Sequence, residues 1–139
     1  MNRSGLFAVT DIRVRYAETD GMKVVYHGNY LTYFEQARTE MLRQAGIPYS
    51  VIEQLGLYVV VTEAHVNYRR AALYDDLLHV KASVKEMPTN RIRIEYEVSR
   101  NDDPTIIVDG YTTHAFLNAN TNKPARPPKV FTDRMQHYF

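Results

Sequence analysis

The sequence predicts an α+β fold, a long amphipathic helix followed by an antiparallel meander, and three patterns predict it. Apolar residues recur at three- and four-residue steps from Tyr30 to Ala45, later segments alternate apolar with polar residues, and Pro-, Asn- and Asp-containing turns separate them. One helix and one such sheet bury both apolar faces only if the sheet curls around the helix or packs flat against it.

The first strand is read at residues 11–16, where Ile12, Val14 and Tyr16 alternate with Asp11, Arg13 and Arg15. Residues 17–28 show no period and contain Gly21 and Gly28, so they read as an irregular loop. Tyr30, Leu31, Phe34, Ala37, Met41, Leu42 and Ala45 then form one helical stripe, capped by Asn29 and stopped by Gly46 and Pro48. A short amphipathic turn at 49–55 leads into strand residues 57–68. Two half-buried strands follow: Leu78, Val80, Ala82 and Val84 share one face, as do Ile92, Ile94, Tyr96 and Val98. Pro88-Thr89-Asn90 is read as a tight turn between them, and Asn101-Asp102-Asp103-Pro104 as another before a last strand at 105–118. The segment 123–129, with three prolines, is expected to run extended over the surface.

The 139 residues suit a single domain with its own core, burying about 70% of the surface the unfolded chain exposes. Seventeen basic against 16 acidic side chains leave a formal charge of +1, which argues against a nucleic-acid partner. With no cysteine, disulfides, thiolate metal sites and a Cys nucleophile are excluded. The longest apolar run, 57–61, is far short of a membrane span, and the run at 6–9 is too short for a secretory signal. A cytoplasmic location is therefore expected, where the Asn2-Arg3-Ser4 sequon has no consequence.

The chemically informative region precedes the helix. It offers a carboxylate, Asp20, on a segment that ends at a helix amino terminus, where unpaired N–H groups carry a positive partial charge. If the turn Tyr26-His27-Gly28-Asn29 aims those donors at a carbonyl oxygen, it forms an oxyanion site. Such a pair is thin equipment for amide cleavage, but a thiolate leaving group, with a conjugate-acid pKa of about 8.5, departs almost unaided. Thioester hydrolysis is the reaction this set could perform, with the carboxylate as nucleophile or as general base. The second route needs burial to raise an ordinary aspartate pKa of about 3.9. Asp20 and His27 lack a third ligand at recognisable spacing, so no metal is expected. Glu35 and Arg38, three residues apart on the helix, read as a pair or as caps of a neighbouring element, with Glu35 facing the pocket as the alternative, and Tyr26, Tyr30 and Tyr33 as packing or pocket-lining rings.

The segment 15–31, with Glu18-Thr19-Asp20-Gly21-Met22-Lys23-Val24-Val25-Tyr26-His27-Gly28-Asn29-Tyr30 at its centre, followed by Tyr33-Phe34-Glu35 and Ala37-Arg38-Thr39-Glu40, resembles the signature of hotdog-fold acyl-CoA thioesterases. Within them it is most similar to the 4-hydroxybenzoyl-CoA thioesterase type, including the bacterial branch associated with the Tol-Pal system. The resemblance implies a hotdog fold over residues 1–139, with a curved sheet of five to six strands around a helix at about 29–45. It implies two subunits forming one continuous sheet, often a tetramer, with active sites between subunits. The family's aspartate falls on Asp20 and its oxyanion donors on the backbone near His27 and Gly28. Substrate contacts are expected from Tyr26, Asn29, Tyr30 and, toward the phosphates of CoA, Arg126. The substrate is an acyl-CoA or acyl-carrier-protein thioester, with no cofactor beyond CoA as part of the substrate. Relatives often carry glycine where this chain has Lys23; if that glycine serves a positive φ, lysine there is strained by about 1 kcal/mol or more. Two alternatives accompany this reading: a hotdog hydratase or dehydratase in which His27 and Glu35 move protons, and a non-catalytic acyl-thioester binding protein.

Overall fold

The computed structural model describes residues 5–139, so the Asn2-Arg3-Ser4 sequon lies outside the described residues. Along the chain come β1 (Leu6–Arg13), α1 (Asn29–Gln44), α2 (Tyr49–Gln54), β2 (Leu57–Tyr68), β3 (Leu77–Val84), β4 (Arg91–Arg100), β5 (Asp103–Asn118), β6 (Pro124–Ala125) and α3 (Lys129–Gln136). The strands form one antiparallel sheet in the order β1-β3-β4-β5-β2, with β6 added to the end of β5. The β3-β4-β5 meander matches the alternation in the sequence.

The helix lies on the apolar face of the sheet. Tyr30, Tyr33, Phe34, Ala37, Met41 and Leu42 form its buried stripe, and Leu78, Val80 and Ala82 of β3 with Ile92, Ile94 and Val98 of β4 supply the surface opposite. Phe34 stacks on Tyr96 with ring centroids 4.1 Å apart, and a phenylalanine so enclosed is typically worth about 3–5 kcal/mol against alanine. Gly110 of β5 is required beneath this contact, because a Cβ there would lie 2.1 Å from the His65 carbonyl oxygen and 3.2 Å from the Phe34 ring. Gly46 takes φ +83° and ends the helix as expected, with the Ile47 amide returning to the Leu42 carbonyl.

Four expectations need correction. β1 begins at Leu6 and ends at Arg13; Tyr16 lies in a 3-10 turn, Tyr16–Glu18, and is exposed. The loop at 17–28 holds no strand or α-helix, as expected, and is tied by two isolated bridges, Thr19 with Val25 and Val24 with Leu73. The β3–β4 connection is an open stretch rather than a tight turn, and β5 starts at Asp103, running straight through Pro104. Glu35 and Arg38 do not pair; the Arg38 guanidinium turns inward beside Tyr96 and Tyr49. Finally, 123–129 is not simply extended: β6 pairs with β5, and α3 drops Phe131 and Met135 into the core, Phe131 edge-on to Phe116 at 5.2 Å.

Candidate active site

Asp20 sits on a hairpin tied by its own backbone. Its amide donates to the Val24 carbonyl and the Lys23 amide returns to the Asp20 carbonyl, both at 2.9 Å. Lys23 closes the turn at φ 64°, the left-handed conformation that glycine accepts without cost. The Asp20 side chain takes one bond, Oδ1 from the Met22 amide at 2.8 Å, and Oδ2 has no protein partner among the described residues.

Glu18 holds this hairpin against the helix. Its Oε1 accepts from the Arg15 amide and the Tyr33 hydroxyl, both at 2.9 Å, and Oε2 accepts from Arg15 Nε at 3.1 Å. Its carbonyl accepts from the Tyr26 amide at 2.9 Å and Asn29 Nδ2 at 2.8 Å. Burial raises the Glu18 pKa, but the bonds from Arg15 and Tyr33 outweigh it and hold the group below its usual value. A glutamate in a loop without periodicity carries no sign of burial in the sequence, so this buried carboxylate is not singled out there. The following Asp-x-x-x turn and a tyrosine fifteen residues on are the only hints of it.

The amino terminus of α1 differs from expectation in a way that matters. Gly28, not Asn29, precedes the helix, and no side chain among the described residues caps it; the Asn29 amide group is spent on the Glu18 carbonyl instead. The Asn29 amide N–H reaches the Tyr26 carbonyl at 2.9 Å and that of Tyr30 reaches the His27 carbonyl at 3.3 Å. The backbone N–H groups of His27 and Gly28 have no protein acceptor among the described residues. They stand at the positive end of the helix.

Asp20 and His27 line one open cleft of about 300 Å³ with Val25, Tyr30, Tyr68 and Arg70. Tyr30, otherwise a core residue at 2% exposure, forms its floor. Tyr26 is half-exposed and packs its ring on His27 at 4.3 Å. Arg126 is not brought to this cleft within the chain: it borders a separate groove with Asn90, Arg91 and Phe116. Tyr68 and Arg70 enter the cleft from the end of β2, some 40 residues along the chain, which local spacing could not have shown. Tyr68 donates from its hydroxyl to the His27 carbonyl at 3.1 Å.

A second groove of about 280 Å³ lies at the other end of β2, over Arg38, Tyr49, Tyr58 and His114. His114 is 1% exposed, and its Nε2 joins Thr112 Oγ1 at 2.8 Å, which joins the Tyr96 hydroxyl at 2.6 Å. Burial, with the Arg38 charge adding to it, pushes the His114 pKa down to about 4. Among the described residues no group of three His, Asp or Glu side chains is placed to hold a metal.

Residues 14–135 match the family model of the thioesterase-like superfamily. The chain belongs to that family. The thioesterase-like chain is 35% identical over 128 residues to the acyl-CoA thioesterase YbgC of Haemophilus influenzae, covering 91% of this chain and 92% of that one. It is 28% identical over 123 residues to the putative acyl-CoA thioesterase YneP of Bacillus subtilis, covering 88% of each. Among solved structures, a DHNA-CoA thioesterase from Staphylococcus aureus superposes with TM-score 0.87 at 34% identity, over 95% of this chain and 88% of that one. The α+β architecture is accordingly the hotdog fold, with α1 as the helix that the sheet embraces.

Proposed function

We propose that this chain hydrolyses acyl-CoA thioesters, with Asp20 acting on the acyl carbon and the backbone N–H groups of His27 and Gly28 holding the thioester oxygen. The hydrolase class follows from membership of the thioesterase-like superfamily and from the activity that its relatives' names carry. The residue assignment rests on one observation: Asp20, with one carboxylate oxygen unpartnered among the described residues, lines the same cleft as His27, which stands at a helix terminus where the His27 and Gly28 amides have no acceptor among those residues. As the oxygen of the carbonyl gains charge, preorganised donors stabilise it, and each is typically worth about 10²–10³ in rate. The leaving thiolate needs no strong acid. Asp20 either attacks directly, giving an anhydride that water opens, or takes a proton from the attacking water. Arg70, at the rim and in no ion pair among the described residues, is the cation available to a CoA phosphate, whereas Arg69 is bound to Asp109 at 2.8 Å.

A homodimer is part of this reading. β2 is one of the two edges of the sheet, and Tyr58, Val61 and Tyr68 along it are half-exposed. An unprotected edge of 12 residues invites pairing. Antiparallel pairing with its own copy about the strand centre sets the 57–59 end of one chain against the 66–68 end of the other. The Asp20 cleft then adjoins the partner's groove over its α2, and Arg126 stays clear of the reacting atoms of its own chain.

Replacing Asp20 by Asn keeps the turn bond from Met22 and removes the charge. The expected result is a fall of about 10³ or more in kcat/KM across a panel of acyl-CoAs, read by thiol release, with an unchanged melting temperature. Undiminished turnover removes Asp20 from the mechanism. Single-turnover hydrolysis in H₂¹⁸O, followed by mass analysis of the Asp20 peptide, separates the two routes: label in the carboxylate means direct attack.

A further inference from the structure

We propose that Tyr68 is a positioning residue for the oxyanion site, its hydroxyl setting the direction of the Gly28 N–H through the His27 carbonyl. The inference rests on the thioesterase reading and adds a residue to it from a different part of the chain. The carbonyl of His27 and the N–H of Gly28 belong to one peptide unit. That unit is planar and trans, so its oxygen and its hydrogen point in opposite directions, and a bond that holds one end aims the other. Two donors reach the His27 oxygen: the Tyr30 amide at a long 3.3 Å and the Tyr68 hydroxyl at 3.1 Å. Without Tyr68, a single stretched bond would fix the plane.

The hydroxyl is itself held. The Tyr68 ring packs edge-on against Tyr30 at 5.7 Å and against His27 at 6.1 Å, and the residue ends β2, whose register on β5 is fixed by the pair Tyr68 with Val108. A bond accepted by the carbonyl also polarises the peptide and strengthens its N–H as a donor. Both effects act on the transition state, where the oxygen is negative, more than on the bound substrate. Tyr68 touches the turn rather than the reacting atoms, so its removal belongs in kcat.

The test is Tyr68→Phe, which deletes one oxygen and keeps both ring contacts. Expected are a fall of about 10-fold in kcat for the best acyl-CoA, as for a modestly misaimed donor, KM within twofold of wild type, and an unchanged melting temperature. The Gly28 amide proton should also move upfield in the ¹H–¹⁵N spectrum and exchange faster with solvent, a readout that needs no substrate. Full kcat in the variant, a loss confined to KM, or a Gly28 resonance that stays in place overturns the proposal. If wild type releases CoA from no acyl-CoA while the Gly28 amide responds as stated, the positioning holds and the thioesterase reading is what fails.

Discussion

The cleft around Asp20 and the groove over His114 sit at opposite ends of β2, and both gather ionisable side chains, yet different partners hold them. In the first, side chains bond to main chain: Asn29 to the Glu18 carbonyl, Tyr68 to the His27 carbonyl, Asp20 to the Met22 amide. Each bond shapes backbone and leaves a reactive atom free. In the second, side chains bond to one another, from Tyr96 through Thr112 to His114, with the Arg38 Nε buried and without a partner among the described residues. A closed network of that kind commits its groups to the fold, and an unpaired buried N–H costs stability. The difference teaches where to look for chemistry. The groove at the far end holds the histidine whose pKa burial pushes down to about 4, but the more open cleft has the unspent donors and acceptor.

The contrast can be broken most forcefully with acid. His114 is neutral in the fold, with its pKa near 4, whereas the unfolded chain takes up a proton at about 6.5. Below pH 6.5 the unfolded state therefore binds the extra proton, and stability falls as pH falls, by about 3 kcal/mol in total by pH 4. Urea unfolding of wild type and His114→Gln between pH 7 and 4.5 should show a steeper loss for wild type. Parallel curves would mean that the imidazole is not the group that resists protonation.

A smaller effect is expected at Glu18. Glu18→Gln places an amide where Tyr33 and Arg15 both donate, at a cost of about 2 kcal/mol near neutrality. Because the fold lowers this carboxyl's pKa, its contribution is present above the unfolded value of about 4.5 and is lost as pH falls through the folded one. The gap between wild type and variant should narrow in acid, the same direction of pH dependence as at His114, because at both positions the unfolded state takes up the proton first. Denaturant midpoints at pH 7 and pH 3.5 measure it.

The smallest effect is at Lys23. Its φ of 64° agrees with the positive φ that the family resemblance implies for this position. Lys23→Gly should relieve the strain and raise stability by about 1 kcal/mol, less some unfolded-state entropy. A drop in melting temperature would show that the lysine side chain repays its conformation by contacts of its own.

Periodicity made most of the fold legible. The stripe from Tyr30 to Leu42 and the alternation through β3 and β4 each have one dominant partner surface, so local pattern and tertiary burial agree. Where they disagreed, the sequence misled. The helix α3 follows three prolines and shows only Phe131 and Met135, one turn apart, as a sign of its buried side. Asn29 has the side chain of a cap, but the turn Tyr26-His27-Gly28 starts the helix one residue earlier and leaves Asn29 free to reach Glu18. Within the site, Asp20, His27, Gly28 and Tyr30 are close in sequence and share one motif, which made them visible. Tyr68 and Arg70 reach the cleft only because β2 pairs antiparallel with β5 and returns to the start of α1. Arg126, chosen by likeness of the tail, ends beside β4 and β5 instead.

That the two spare donors beside Asp20 are main-chain groups has a consequence for how such a protein can change. A peptide N–H is the same whatever residue bears it, proline excepted. Substitution at 27 could therefore alter the wall of the cleft, and the acyl groups it admits, while the hydrogen-bonding capacity there survives intact. Alanine at 27 would report on the wall of the cleft, and alanine at 28 on the Tyr26 ring 2.9 Å from the added Cβ; only a change that turns the peptide plane would report on the donors themselves.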